Sequence, residues 1–233
     1  MKKLRWIIDL ILICILIFSS YKIIGKFLQY KKADKVYNKI YEIKKTQENK
    51  KDNKIDLSYI NNDYRGWIDI SNTNIHYPIV QAKDNDFYLY KDINKQYLES
   101  GSIFLDFRNN NFNDSNTVIY GHSMRNKTMF GQLKMFKDKD FFNNNKFITI
   151  TTPTGDILKY KIFSAYITDA NNFYNKTKFN SDEEFDNFLN KIKNKSLFNT
   201  DVKPNCIDKI LTLSTCSYEF ENARMVIHAK LIK

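Results

Sequence analysis

"KILTLSTCSYEFENARMVIHAKLI", residues 209–232, contains two runs of aliphatic and β-branched residues, "KILTLST" (209–215) and "ARMVIHAKLI" (223–232), separated by a short polar stretch. Alternating apolar and polar positions in both runs predict two strands. If these strands pair as a hairpin, the end of the first lies beside the start of the second, and Cys216 and Arg224 become neighbours. Free cysteine packs as a small hydrophobe and is among the most often buried residue types. A cysteine at a strand end beside an arginine is also the pattern of an activated nucleophile. The rest of the chain has to decide between the two.

Upstream, six further runs have strand character: "GWIDI" (66–70), "HYPIV" (76–80), "GSIFLDF" (101–107), "NTVIYGH" (116–122), "KFITITT" (146–152) and "DILKYKIFSAYIT" (156–168). "TPTGD" at 152–156 is a hairpin turn, with Pro153 supplying a fixed backbone angle and Gly155 a permissive one. Eight strand candidates in about 170 residues, separated by turn signals, point to a closed barrel or a sandwich, so the fold class is mainly β. Two helices interrupt the strands. "SDEEFDNFLNKIKNKSLF" (181–198) opens on a capping box, Ser181 and Glu184, and gathers Phe185, Phe188, Leu189 and Ile192 on one face. "KTMFGQLKMF" (127–136) is predicted as a second helix after the "YGH" segment.

The 233 residues, with 6 glycines, 3 prolines and 15% aromatic residues, suit one packed domain. The net charge of +11 is unevenly placed: residues 1–55 carry +9 and residues 56–233 only +2. A nearly neutral globular part argues against a nucleic-acid-binding face, whereas a basic segment beside a hydrophobic stretch suits an anionic membrane surface. That stretch is "WIIDLILICILIFSSYKII" (6–24), preceded by Lys2, Lys3 and Arg5, and close to the roughly 20 residues that cross a bilayer. A cleaved signal peptide shares the basic start and apolar core, but no small-x-small cleavage site follows Ser19 and Ser20, so we read a membrane anchor. Lys22, Lys26, Lys31 and Lys32 flank its far side, so flanking charge alone leaves the orientation open. Beyond the anchor, Ala33, Val36, Tyr37, Ile40 and Tyr41 recur at helical spacing, and "KTQENKKDNKID" (45–56) reads as a solvated linker before a folded domain starting near Leu57.

Three cysteines, Cys14, Cys206 and Cys216, make no disulfide scaffold, although a Cys206–Cys216 bridge stays open at this level. His76, His122 and His228 are far apart and lack metal-ligand spacing, so no metal site is expected. A catalytic thiol needs a histidine or cationic neighbour. His122 follows Gly121 where a strand meets a loop, a position that exposes a side chain on a rigid frame, which ranks it ahead of His228 and then His76. On strand alternation His228 shares a face with Arg224, Val226 and Lys230. Arg224 either stabilises an anion beside Cys216 or is a surface residue paired to Glu219 or Glu221.

Four segments, "GWIDISNTNIHYPIVQAKDNDFYL" (66–89), "GSIFLDFRN" (101–109), "TVIYGHSMRNKTMFGQLKMF" (117–136) and "LTLSTCSYEFENARMVIHAKL" (211–231), resemble in order and spacing the class B sortases, membrane-anchored cysteine transpeptidases of Gram-positive bacteria. The likeness runs from about Arg65 to the C-terminus, and the helix before the cysteine strand favours class B. The resemblance implies an eight-stranded β-barrel with an N-terminal helix and that additional helix. By position, Cys216 resembles the nucleophile, His122 the general acid/base, and Arg224 the residue that holds substrate and stabilises the tetrahedral intermediate. Tyr120, Ser214 and Thr215 flank these positions, and Asn85 and Leu89 in "KDNDFYL" resemble a segment lining the substrate groove. No third, histidine-orienting residue is assigned; Glu219 and Glu221 are candidates. The implied organisation is an anchor at 1–26, a basic helical stalk and linker at 27–56, and a catalytic domain at 57–233 outside the cell membrane. The implied partners are secreted proteins with a C-terminal sorting signal, cut after a Thr, and an amine of the peptidoglycan precursor as acceptor. The implied chemistry requires no metal or organic cofactor.

Overall fold

The computed structural model describes residues 2–48, 54–171 and 173–233. Helix α1 spans Lys2–Glu48 and is followed by strands β1 (Tyr64–Ile70), β2 (His76–Val80), β3 (Ile103–Leu105) and β4 (Asn116–Tyr120). After a 3₁₀ helix, Gly131–Lys137, come α2 (Lys139–Asn144), β5 (Phe147–Thr151) and β6 (Ile157–Asp169). A short 3₁₀ turn at Phe173–Asn175 leads to α3 (Asp182–Asn194), β7 (Ile210–Cys216) and β8 (Ala223–Leu231).

All eight expected strands form, and they close into a barrel in the order β1-β2-β3-β4-β7-β8-β6-β5. Closure leaves no unpaired edge. It depends on two parallel pairings, β2 with β3 and β4 with β7; the other neighbours are antiparallel. The β5–β6 hairpin turns at Gly155, whose φ of 96° only glycine adopts at no cost.

Side-chain alternation along the last two strands determines what lies where. Leu211 and Leu213 of β7, with Met225, Ile227 and Ala229 of β8, point into the barrel core. The opposite face of β8 carries Val226 and His228 beneath α3, whose Phe185, Phe188, Leu189 and Ile192 pack on Phe163, Tyr166 and Ile210. Ser181 caps α3 as expected, its hydroxyl accepting from Glu184 N at 3.1 Å, while the Glu184 carboxylate accepts from Asn180 N rather than closing back on Ser181.

Two expectations need correction. The segment 127–136 is not a continuous helix: Lys127 and Met129 adopt φ of 63° and 54°, in the left-handed region, so the 3₁₀ helix begins only at Gly131. A short α2 follows it, capped by Asp138 accepting from Phe141 N at 2.8 Å. The second is the solvated linker, because the helix beyond the apolar run packs on the barrel and continues into that segment. Ala33, Tyr37 and Ile40 are buried, Tyr37 meets Tyr77 edge to face at 5.3 Å, and the helix continues to Glu48. Of the expected linker, 45–48 are helical and 49–53 lie outside the described residues; Ile55 and Leu57 are already in the core.

His228 is 0% exposed. Asn116 Nδ2 donates to Lys176 O (2.8 Å), so its Oδ1 accepts from Thr212 Oγ1 (2.6 Å), and Thr212 in turn accepts from His228 Nδ1 (2.8 Å). Nε2 is then the acceptor for Tyr166 OH at 3.0 Å, a network that suits only the neutral ring. Burial pushes its pKa down to about 3. Between that value and an unfolded pKa of about 6.5 the unfolded chain binds the extra proton. His228 therefore makes no demand on stability above about pH 6.5 and costs about 1.4 kcal/mol for each unit below it. Denaturation curves of the wild type and His228→Asn should converge by that slope from about pH 6.5 downward. Parallel curves would show that His228 does not carry the acid lability. The comparison with the variant is needed because His76, raised by its hydrogen bond to Asp69, acts in the opposite sense.

Candidate active site

Cys216 ends β7 and Arg224 is the second residue of β8; the antiparallel register places them directly opposite. Side chains opposite each other share a face, so thiol and guanidinium emerge together, beyond the part of that face covered by α3. Alternation along β7 brings Ser214 to the same face. Strand β4 lies parallel to β7, with Tyr120 in register with Ser214, and this delivers His122 to the same end of the barrel. Thr215 Oγ1 donates to Gly121 O at 2.7 Å, and Gly121 N to Ser214 O at 3.3 Å, tying the two strand ends together.

These residues line one cleft of about 210 Å³. Every site residue expected from the sequence borders it: Cys216, His122 and Arg224, with Asn85, Leu89, Tyr120, Ser214 and Thr215. Cys216 is half-buried and its thiol is free, as are those of Cys14 and Cys206, so no Cys206–Cys216 bridge forms. Arg224 Nη1 donates to the carbonyls of Asn222 (3.3 Å) and Ala223 (3.1 Å). Glu219 pairs instead with Lys137 at 2.6 Å and accepts from Tyr218 N and Ser217 Oγ, so the alternative of a Glu219–Arg224 ion pair is not realised.

His122 Nε2 lies 2.7 Å from Leu89 O, and a carbonyl can only accept, so Nε2 carries the proton and Nδ1 is the basic atom of the neutral ring. Burial lowers the pKa of His122, against weaker opposing effects of the Leu89 carbonyl and the Glu99 charge, which keeps it neutral at neutral pH. Tyr90 packs on the ring at 5.6 Å between centroids. The other two histidines are engaged elsewhere: His228 is buried under α3, and His76 is bound to Asp69 (2.7 Å) and Thr73 O (2.7 Å).

One buried carboxylate organises the wall of the cleft. Asp106, 0% exposed, accepts from Arg108 Nε (2.8 Å) and Nη2 (2.7 Å), Tyr120 OH (2.9 Å) and Asn85 Nδ2 (3.2 Å). Burial pushes its pKa up, but the Arg108 fork and Tyr120 outweigh it and hold the group ionised. Asn85 Oδ1 accepts from Phe107 N at 3.0 Å, which leaves its amide in a defined orientation. Tyr174, from the 3₁₀ turn after β6, reaches Ser214 Oγ at 3.1 Å, and Phe104 and Ala170 complete the lining. Sequence reading missed Asp106 and Tyr174. The Asp-x-Arg spacing in "FLDFRN" was the one available sign of the first; the second sits in a connection with no local signature.

Gly121 precedes the histidine in a crowded position. A Cβ there would lie 2.3 Å from Ile103 Cδ1 and 2.9 Å from the Phe130 ring. Gly121→Ala should displace the end of β4, lowering stability by about 1–3 kcal/mol and turnover with it, since His122 is the next residue. A variant with wild-type melting temperature and activity would mean that Ile103 and Phe130 yield freely.

A closed mixed barrel presenting a cysteine, a neutral histidine and an arginine in one cleft is the framework of a cysteine acyltransferase. The Sortase domain family model matches residues 68–232. Sortase B of Staphylococcus aureus (strain NCTC 8325 / PS 47) is 35% identical over 241 residues, covering 100% of this chain and 98% of its own. A crystal structure of Clostridium perfringens sortase B is 49% identical with a TM-score of 0.73, over 76% of this chain and 98% of that one. A Staphylococcus aureus sortase B–substrate complex aligns with a TM-score of 0.83 at 34% identity, over 88% of this chain and 99% of that one. The chain belongs to the sortase family and is of the class B type, a cysteine transpeptidase.

Proposed function

We propose that this transpeptidase cuts secreted proteins at a C-terminal sorting signal, after a Thr, and joins them to an amine of the peptidoglycan precursor. The observation that carries this reading is the single cleft shared by Cys216, His122 and Arg224. The Cys216 thiol gives its proton to His122 as the sulfur attacks the Thr carbonyl, Arg224 stabilises the oxyanion, and His122 passes that proton to the leaving amine as the C–N bond breaks, leaving a thioester. An amine then attacks the thioester carbon while His122 accepts a proton, and the sulfur leaves. The Asp106 network holds Asn85 and Tyr120 in fixed orientations in the wall of the cleft that would receive the signal.

The apolar run of α1 serves as a single-pass anchor, with the barrel on the outer face of the membrane. Its side chains from Leu4 to Leu28 are exposed, as contact with lipid requires. Anchoring raises the effective concentration of enzyme where both substrates meet it. The test is a screen of sorting-signal peptides with the full chain in phosphatidylglycerol vesicles, with and without an added amine. Cleavage after Thr with amine-dependent product is expected. Hydrolysis alone would make the chain a peptidase, and binding without cleavage would make it a recognition module.

A further inference from the structure

His122 borders two clefts. The second, of about 420 Å³, is walled by Lys26 and Tyr30 of α1, Tyr90 and Glu99 of the β2–β3 connection, and Arg125. Exposed apolar residues on α1 end at Leu28, and Ala33 is already packed on the barrel. At 1.5 Å per residue this cleft therefore opens within about one helical turn of the end of the apolar run. The Cys216 cleft contains no residue of α1.

Glu99 is the only acidic residue of this second lining among the described residues, and it already holds an ammonium, that of Lys26. Its charge also acts on His122. The amine that resolves a thioester is itself an ammonium at neutral pH. Before it can attack, it needs a carboxylate to bind it and a neutral base to deprotonate it. Both border this cleft.

We propose that the second cleft is the acceptor site, where Glu99 binds the ammonium of a primary amine carried on a membrane-bound precursor and Lys26 occupies Glu99 until that amine arrives. The assignment rests on the transpeptidase reading above. In the transfer step the acceptor nitrogen forms a C–N bond to the thioester carbon and the C–S bond breaks, releasing Cys216 as thiolate. Of the two protons lost as the ammonium becomes an amide N–H, one passes to His122 and the other to solvent. Lys26 then returns to Glu99.

The two sides of the Lys26–Glu99 pair have opposite expected effects. With the full chain in phosphatidylglycerol vesicles, a donor peptide from the screen and triglycine as acceptor, the readout is the partition of acyl-enzyme between transfer and hydrolysis. That ratio does not depend on how fast the acyl-enzyme forms. Glu99→Gln should raise the triglycine concentration for half-maximal transfer about tenfold, and Glu99→Asp should recover part of it. Lys26→Met should lower that concentration, because Glu99 is freed. A pair that merely fastens the helix would shift both variants the same way, and this result, or no shift in either, would overturn the assignment. Triglycine coupled to a phospholipid headgroup through a short spacer should serve as well as through a long one; activity with the long spacer alone would move the site away from the membrane. Absence of an acyl-enzyme in the wild type would instead overturn the transpeptidase reading itself.

Discussion

Cys216→Ala should abolish cleavage, with turnover falling by a factor on the order of 10⁶, because the deleted sulfur is the atom that becomes covalently attached to substrate. The barrel should survive the change. Cys216 is half-buried at the end of β7, its neighbours Ser214 and Thr215 are anchored through Tyr174 and Gly121, and alanine keeps the strand conformation. Mass spectrometry during turnover should find an adduct of the acyl portion on the wild type and none on the variant. Cys206→Ala is the matched control: Cys206 packs at the margin of the α3 cluster and does not line the cleft, and burial there raises its thiol pKa. Its activity and adduct should persist. If Cys206→Ala removes the adduct, the nucleophile has been assigned to the wrong sulfur.

How much of this was legible in the sequence depends on the range of the interactions involved. Strand alternation is local, so all eight strands could be read, and the hairpin argument made Cys216 and Arg224 neighbours, which the observed register sharpens to directly opposite. The parallel pairings of β2 with β3 and β4 with β7 join segments separated by long connections, and nothing local distinguishes the barrel they close from a sandwich. The same reason hid the docking of α1. The stripe through Ala33, Tyr37 and Ile40 was visible as a helix face, but its partner, including Tyr77, lies across the chain. Segment 127–136 failed differently: its composition is helical, but Met129 N donates to Tyr77 OH, and the backbone at 127 and 129 bends to fit.

The histidines show what physical reading and family resemblance each contribute. Position at a strand end favoured His122, and the fold gives the physical reason for excluding the others: His228 is enclosed by Tyr166 and Thr212, and His76 by Asp69 and Thr73. The Leu89 contact that fixes the His122 tautomer could not have been foreseen. Leu89 was expected as part of a segment lining a groove, and it is its backbone carbonyl that contacts the histidine. Asp106 was legible only in part: Arg108 is its near neighbour in sequence, but Tyr120 reaches it through the pairing of β3 with β4, and Asn85 comes from the connection between β2 and β3.

Arg224→Ala should lower kcat by about 10²–10³, the usual cost of removing one oxyanion donor from an acyl-transfer site, while changing the melting temperature little. The structure makes the two effects separable. The Arg224 guanidinium donates to the carbonyls of Asn222 and Ala223 at the start of its own strand, contacts that fix its direction but join no distant parts of the fold. Had it been a surface ion pair, its loss would cost about 0–1 kcal/mol of stability and leave the rate unchanged. Arg224→Lys should recover little, because a single ammonium cannot reproduce the planar fork that grips a peptide carbonyl. Glu219→Gln is the decisive control. It removes the partner of Lys137 and not of Arg224, so its kinetics should not mimic those of Arg224→Ala. Near-normal turnover in Arg224→Ala would return this residue to the surface and require another group to stabilise the tetrahedral oxygen.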